Sequence, residues 1–477
     1  MNKFKTKLLL IALIAGVIVV SCGIPKIATL AEKSLTPESF DKNKDTINTA
    51  GIKWKDLFQD KKLTALIVIA LQRNQELLIT LQEIEIAKND IRIKKGALLP
   101  LIGIGASVGQ EKVGRYTSQG AGDATTEITP GQEFPDPLGD FKVAAYAHWE
   151  VDIWKKLRNS KKAAINRYLA TIEGKNFVIT NLISEVASSY YELLALDNQL
   201  EIIKQNIELQ SGALEIVKIQ KASAKATELG VQKFEAEVYD SKSKEFEILQ
   251  AITEFENRIN FLLGRYPQEI IREKASFLSL IPTNVNVGIP SQLLFNRPDI
   301  KKAELELQAA KLDIKAAKAE FYPSLGISAG VGLNAFKPQY LTTMPESLLY
   351  SFVSDIASPL INRNAIKAEF LNANSRQIQA LYNYERTVLN AFFEVSNQVA
   401  KISNLQKSFN LKFQRVDALK KSIDASNELF KSARVDYFEV LMTQRDALEA
   451  KLELVETKKA QFSTMVAIYR SLGGGWK

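Results

Sequence analysis

Pro100-Leu-Ile-Gly-Ile-Gly-Ala-Ser-Val-Gly109 and Pro323-Ser-Leu-Gly-Ile-Ser-Ala-Gly-Val-Gly332 are one pattern written twice, 223 residues apart. In the first copy Ile102, Ile104, Ala106 and Val108 alternate with Gly103, Gly105, Ser107 and Gly109. A strand with that sequence has one apolar face and one face of small side chains. A second alternation, Phe141, Val143, Ala145, Ala147, Trp149 and Val151, follows a Gly/Pro/Thr-rich stretch from Gln110 to Asp140 that reads as a long hairpin loop. Gly103-Ile104-Gly105 reads as strand and not as a phosphate loop, because it follows a helical pattern and lacks the lysine such a loop carries.

Outward from each hairpin the period changes from two to about three and a half. Lys61–Leu98, Leu157–Ala222 and Glu228–Leu263 are proline-free and rich in Ala, Leu, Glu, Gln and Lys. Within them Ile179, Leu182, Ile183, Val186, Ala187 and Tyr190 form an apolar stripe. A helix of about 65 residues is roughly 100 Å long, which suits coiled packing better than a globular domain. Behind the second hairpin the offset between matching residues becomes 209: Glu394-Val395 falls on Glu185-Val186, and Leu472-Gly473 on Leu263-Gly264. The difference of 14 is a longer first loop. The second half supplies Pro298–Glu320, strands near Leu325–Ala335 and Leu348–Leu360, then Ala365–Lys431 and Tyr437–Leu472. Each half thus reads helix, strand, strand, very long helix, long helix. Four strands cannot close a barrel, and open sheet edges are not tolerated in hydrocarbon, so closure is expected from further copies of the chain.

The N-terminus reads as an export signal: Lys3, Lys5 and Lys7 precede the thirteen-residue apolar run Leu8–Val20, too short to span a bilayer. Val19-Val20-Ser21-Cys22 resembles a bacterial lipobox, in which the thiol and the new amino terminus of the cysteine are acylated. Residues 1–21 would then be removed, and a diacylglycerol and an N-acyl chain on Cys22 would hold the mature chain at a membrane. No later segment reads as a transmembrane helix. With 477 residues, 62 Lys+Arg against 54 Asp+Glu, one cysteine and one histidine, the chain has no disulfide framework, no basis for nucleic-acid binding and no evident catalytic or metal-ligating set. His148, beside Trp149 in a strand, is expected to be a wall or interface residue. Met344, Met442 and Met465 form no ladder that would mark a copper or silver path.

The start of the second half carries a family resemblance. Gly288-Ile-Pro-Ser-Gln-Leu-Leu-Phe-Asn-Arg297-Pro298-Asp299-Ile300, then Ala303-Glu304, Ala309-Ala310 and Ala316-Ala-Lys-Ala319 up to Pro323, is close to the GLPSxLLxRRPDI stretch of the TolC-like outer membrane efflux family. Ala433-Arg434-Val435-Asp436-Tyr437 and Tyr469-Arg-Ser-Leu-Gly-Gly-Gly-Trp476 are similarly family-like, as are Trp54, Asp60, Asn74 and Trp149-Glu150-Val151-Asp152-Ile153-Trp154. The chain resembles the lipoprotein branch that serves resistance-nodulation-division pumps. It departs from the pattern at Asn296, Ala433 and Lys155.

The resemblance implies a mixed α/β membrane protein, internally duplicated: a homotrimer whose four strands per chain make a twelve-stranded outer-membrane barrel, continued by a periplasmic α-helical barrel. Its partners would be a periplasmic adaptor protein, an inner-membrane resistance-nodulation-division pump and outer-membrane lipid, with no cofactor beyond the lipid at Cys22. The expected divisions are signal peptide 1–21, lipidated extension 22–60, first repeat 61–263 with strands about 100–109 and 140–152, linker 264–296, second repeat 297–472 with strands about 324–336 and 347–361, and tail 473–477. The implied function is passive conduction of drugs or other small toxic solutes. A type I polypeptide secretion channel is the alternative, and a non-conducting periplasmic coiled-coil protein a more distant one.

Among single residues, Arg297, Pro298 and Asp299 are read as fixing a helix start, with the proline in the first turn and the acid near the positive end. The family places its periplasmic tip at Ser432–Tyr437. Asp436 is the candidate gate, with Arg434 and Arg445 available for charge-assisted hydrogen bonds to neighbouring helices; the alternative is that Asp436 caps the following helix. The corresponding first-half turn, Lys225-Ala226-Thr227, places its charge differently.

Overall fold

The computed structural model describes residues 24, 25, 27, 36–40, 46–273, 277–283, 285–358, 363–432 and 434–476. The expected signal peptide, Cys22 and Ala433 lie outside the described residues.

In chain order the elements are α1 (Trp54–Leu57), α2 (Lys61–Arg73), α3 (Gln75–Gly96), β1 (Leu101–Glu111), α4 (Ser118–Asp123), β2 (Glu127–Thr129), β3 (Gln132–Glu133), β4 (Leu138–Val151), α5 (Lys156–Ala222) and α6 (Glu228–Leu262). The second half gives α7 (Leu293–Asn296), α8 (Pro298–Ala319), β5 (Ser324–Ala335), β6 (Leu348–Ala357), α9 (Asn364–Lys431) and α10 (Tyr437–Ser471). Local chemistry sets the starts. Asp60 accepts the N–H groups of Lys62 and Leu63 at α2, Asp152 those of Leu157 and Arg158 at α5, and Thr227 that of Gly230 at α6.

Two expectations are corrected. Lys61–Leu98 is two helices, because Asn74 leaves the helical region (φ −62°, ψ 125°). Its side chain accepts the N–H of Leu77 as a cap and donates to the Leu262 carbonyl at 3.0 Å, a tertiary bond worth more than one uninterrupted turn. The stretch from Gln110 to Asp140 is not plain loop either: β1 runs on to Glu111, then α4 and the small antiparallel pair β2–β3 follow before β4 begins at Leu138.

The chain forms two compact units. The first gathers Ile86–Tyr168 and Leu305–Leu381, with Ile24 and Ile27. It holds a four-stranded antiparallel sheet in the order β1-β4-β5-β6, so a strand of one half pairs with a strand of the other. Directly opposed residues share a face. The register Ile104↔Ala145↔Val331↔Tyr350 therefore aligns one apolar row across all four strands, and Ala106↔Val143↔Leu333↔Leu348 the next.

The second unit is built from Lys33–Glu85, Leu169–Glu304 and Tyr382–Lys477. The stripe seen in the sequence is its core: Leu182, Ile183, Val186, Ala187 and Tyr190 of α5 pack with Leu63 and Ile67 of α2, Ile259 of α6, and Val455, Phe462 and Val466 of α10. Each large side chain buried there contributes about 1.5–3 kcal/mol. Tyr191 stacks on Phe462 at 4.5 Å between ring centres. The Tyr190 hydroxyl donates to Asp60 at 2.6 Å; burial, then that bond, holds its phenol well above the ordinary range, so it stays a donor.

Candidate functional site

Three places concentrate the polar and apolar chemistry of the fold: the two faces of the sheet, the Arg297 knot and the two helix-to-helix turns.

On one face of the sheet stand Ile102, Ile104, Phe141, Val143, Trp149 and their register partners Leu325, Ile327, Val331, Phe352 and Ile356, with no charged side chain. Ile104, Phe352 and Ile356 are 80%, 73% and 76% exposed. The other face carries Gly103, Gly105, Ser107, Lys142, His148, Glu150, Ser328, Asn334, Ser351 and Asp355. His148 sits there as a wall residue, its Nδ1 3.1 Å from Ser328 Oγ on the neighbouring strand. Such an arrangement separates an oily phase from water. Among the described residues, strands β1 and β6 are the edges of the sheet, with no further strand beside them.

Arg297 lies between α7 and α8, and Pro298 opens α8. Arg297 is 5% exposed and serves four acceptors: Asp299 Oδ1 at 3.0 Å and Oδ2 at 2.7 Å, Glu394 Oε2 at 2.7 Å on α9, and the Ser471 carbonyl at 2.9 Å at the end of α10. Burial alone would lower its pKa, but the bonds and charges of Asp299 and Glu394 prevail and hold it above the ordinary arginine value. Asp299 also accepts the N–H of Ile300. The tail is part of this knot: Trp476 Nε1 donates to the Asn296 carbonyl at 3.3 Å.

The knot has a counterpart in the first half that sequence reading missed. Asn74, 223 residues before Arg297, donates to the carbonyl of Leu262, 209 residues before Ser471. Gly264 and Gly473 have φ of +64° and +83°, and a Cβ on either would lie 2.4 Å from a backbone carbonyl, that of Arg73 or of Asn296. The two offsets already in hand would have paired these positions. Glu394 was visible only as a marker of the repeat.

The two turns differ. After α5, Ala224 takes φ +59°, the Lys225 N–H reaches back to the Gln220 carbonyl at 2.8 Å, and Lys221 pairs with Glu228 across the turn. The hydrogen bond from Lys221 holds the Glu228 carboxyl below its usual range. After α9, Asp436 occupies the N-cap position of α10 with extended backbone, yet its carboxylate makes no capping hydrogen bond. The capping role is thus not one the geometry performs. Arg434, Asp436 and Arg445 are all exposed, and among the described residues none of the three side chains has a hydrogen-bond or ion-pair partner within the chain. The two turns meet through Phe234 and Tyr437, ring centres 6.5 Å apart, above a buried cluster of Leu214, Val217, Val231, Phe234, Val238 and Leu441. Because a left-handed alanine is strained and a glycine is not, Ala224→Gly is expected to raise stability by about 0.5–1 kcal/mol, read as an upward shift of the thermal midpoint.

A family model described as outer membrane efflux protein matches residues 66–265 and 289–474. The chain belongs to the outer membrane efflux protein family. Among its curated relatives in the family are the cation efflux system protein CusC of Escherichia coli, 26% identical over 433 residues that cover 91% of this chain and 90% of CusC, and the pyoverdine export outer membrane protein OpmQ of Pseudomonas aeruginosa, 27% identical over 425 residues, 89% and 87% of the two chains. Of solved structures, CusC superposes with a TM-score of 0.82 at 23% identity, covering 94% of this chain and 99% of the other. The open-state MtrE channel of Neisseria gonorrhoeae gives 0.82 at 22% identity, covering 95% and 98%. The family fold therefore extends over nearly the whole chain. Among the described residues, no cluster of His, Cys, Asp or Glu could hold a metal ion, and no helix is long and apolar enough to cross a membrane.

Proposed function

We propose that this chain is the outer-membrane channel of a tripartite efflux system, working as a homotrimer that receives drugs or other small toxic solutes from a resistance-nodulation-division pump through a periplasmic adaptor. The observation that carries this reading is the sheet: one face apolar and uncharged, the other small and polar, with two unpaired edges. Three copies would supply twelve strands and leave no edge in lipid. The apolar row from Leu325 to Ala335 spans about 34 Å along the strand at ~3.4 Å per residue, or about 26 Å of membrane depth at a tilt of ~40°. That matches a hydrocarbon layer. Energy comes from the pump, and the chain supplies a wetted passage. Relatives named for cation, pyoverdine and toluene export share the family's body, which supports substrate choice lying with the pump.

Conductance in a planar bilayer tests the reading, together with native mass spectrometry in mild detergent. A conducting trimer is expected; a conducting monomer or dimer, or a folded protein with no conductance, would refute it.

The proposed lipid at Cys22 draws support from the placement of residues that follow it in the chain. Ile24 and Ile27 pack against the cluster of Ala317, Phe321, Phe370 and Ala373, close to where the chain enters β5. Acyl chains on Cys22 would then begin beside the sheet's helix-proximal end. Cys22→Ala is expected to abolish acyl labelling while leaving barrel insertion intact. An unmodified Cys22 in the wild-type protein by intact mass measurement would count against the anchor.

A further inference from the structure

The four stretches of chain that lead into and out of the sheet, residues 86–100, 152–168, 309–323 and 358–372, carry fifteen Lys or Arg and five Asp or Glu. Their balance of ten positive charges exceeds the +8 of the entire chain. At the other end of the sheet, residues 112–137 and 336–347 hold three Lys or Arg against five Asp or Glu. Because the strands are antiparallel, with Leu101 opposite His148 and Ser324 opposite Ala357, all four of the basic stretches adjoin the same end.

The excess is ordered as well as large. Lys88, Arg92 and Lys95 on α3 stand at i, i+4 and i+7, one exposed helix face. Lys311, Lys315 and Lys318 on α8 are the same three positions 223 residues later, and are exposed too. Arg158 on α5 likewise recurs, at the offset of 209, as Lys367 on α9. Elsewhere in the helices lysines pair with acids one turn away, as Lys244 does with Asp240 and Lys421 with Asp417. In this band Lys156, Arg158 and Arg167 pair with Glu150, Asp152 and Asp313, whereas Lys94, Lys95, Lys155, Lys162, Lys315 and Lys318 have no side-chain ion pair or hydrogen bond among the described residues.

The same end bears an amphipathic aromatic pair. Trp154 stacks on Tyr322 at 4.8 Å, is 46% exposed, and donates its Nε1–H to the Pro323 carbonyl at 2.7 Å. An uncharged apolar face, then a half-exposed Trp stacked on a partly buried Tyr, then lysines without counter-charges is the order met on passing from hydrocarbon through the interface into a headgroup layer. We infer that this basic band binds the anionic phospholipid headgroups of the leaflet on the helical side of the sheet. The inference rests on the channel reading, which puts the sheet in lipid.

The test uses the full-length protein reconstituted in phosphatidylcholine vesicles with and without phosphatidylglycerol, as wild type, as Lys95→Gln/Lys162→Gln/Lys318→Gln and as the corresponding Lys→Arg triple. Phosphatidylglycerol retained after detergent extraction is counted by mass spectrometry, and conductance is recorded on the same preparations. Each basic group beside an anionic surface contributes about fivefold in affinity, so the Gln triple is expected to lose on the order of a hundredfold and the Arg triple to keep the preference. The single variants, each expected to lose about fivefold, cover a triple that does not fold. A wild-type channel that conducts yet retains phosphatidylglycerol no better than phosphatidylcholine overturns the inference and leaves the channel reading standing. Unchanged retention in the Gln triple, with altered ion selectivity instead, places the lysines in the pore and also overturns it. A protein that neither inserts nor conducts in either lipid removes the channel reading and the inference with it.

Discussion

Arg297→Ala is expected to lower the free energy of unfolding by about 3 kcal/mol, seen as a large drop in the thermal or denaturant midpoint of the detergent-solubilised protein. Removing the guanidinium strands several groups at once. Asp299 loses a two-pronged partner, Glu394 on α9 its ion pair to the start of α8, and the Ser471 carbonyl its donor at the end of α10. The estimate sits at the low end for a broken buried ion pair because Glu394 is 43% exposed and recovers water. Arg297→Lys should restore only part of the loss, since one ammonium cannot reproduce a planar fork that reaches both Asp299 oxygens and two further acceptors. In the first half the matching variant, Asn74→Ala, removes two neutral hydrogen bonds and should cost about 1–2 kcal/mol. Equal losses at the two positions would show that the ion pairs add nothing to the knot beyond the shared carbonyl bond.

Asp436→Ala is expected to raise resting conductance by at least tenfold and to sensitise cells to bulky antibiotics, with little change in stability. The carboxylate makes no capping bond to α10, so the roughly 1 kcal/mol that a cap supplies is not there to lose. What the turn offers instead is exposed charge of both signs, Asp436 with Arg434 and Arg445, without side-chain partners among the described residues. In an assembled channel those partners would be supplied by neighbouring copies. A charge-assisted hydrogen bond contributes about 1.5–3 kcal/mol, so loss of even one per assembly shifts a closed-to-open equilibrium by a factor of ten or more. Single-channel recording of a correctly folded Asp436→Ala protein decides the matter: unchanged resting conductance removes Asp436 from the gate. The first turn gives a built-in comparison, because Lys221 and Glu228 already satisfy each other there. Glu228→Gln should leave resting conductance close to wild type.

Legibility in the sequence followed the range of the interaction concerned. The strands could be read because a half-buried sheet imposes a period of two on consecutive residues, and the α5 stripe ending at Tyr190 could be read because helix packing imposes its own period locally. The break at Asn74 could not. No proline or glycine marks it, and its cause is the Leu262 carbonyl 188 residues away. α4 and the β2–β3 pair were hidden in a stretch too short and too rich in glycine and threonine to show any period. At the Arg297 knot the bond to Asp299 is two residues long and was anticipated as a helix start, whereas Glu394 lies 97 residues on and Ser471 174. Asp436 shows the limit from the other side. Residue type and position both favoured a cap, but a side chain in water can turn away from the N–H groups at small cost, and no local rule records that.

The unpaired outer strands β1 and β6 also bear on how such a protein comes into being. A lone chain offers two rows of free backbone donors and acceptors beside a sheet face without charge, the combination most prone to indiscriminate pairing. On the trimeric reading proposed above, its well-ordered state in lipid would depend on how many copies are at hand, and dilution would act on it as a denaturant does. Synthesis rate, escort through the aqueous compartment and the order in which copies meet would then be as decisive as any contact within the chain. A variant with a flawless fold but slow encounter would accumulate as aggregate or be degraded, and would lack activity for reasons that lie outside its own fold.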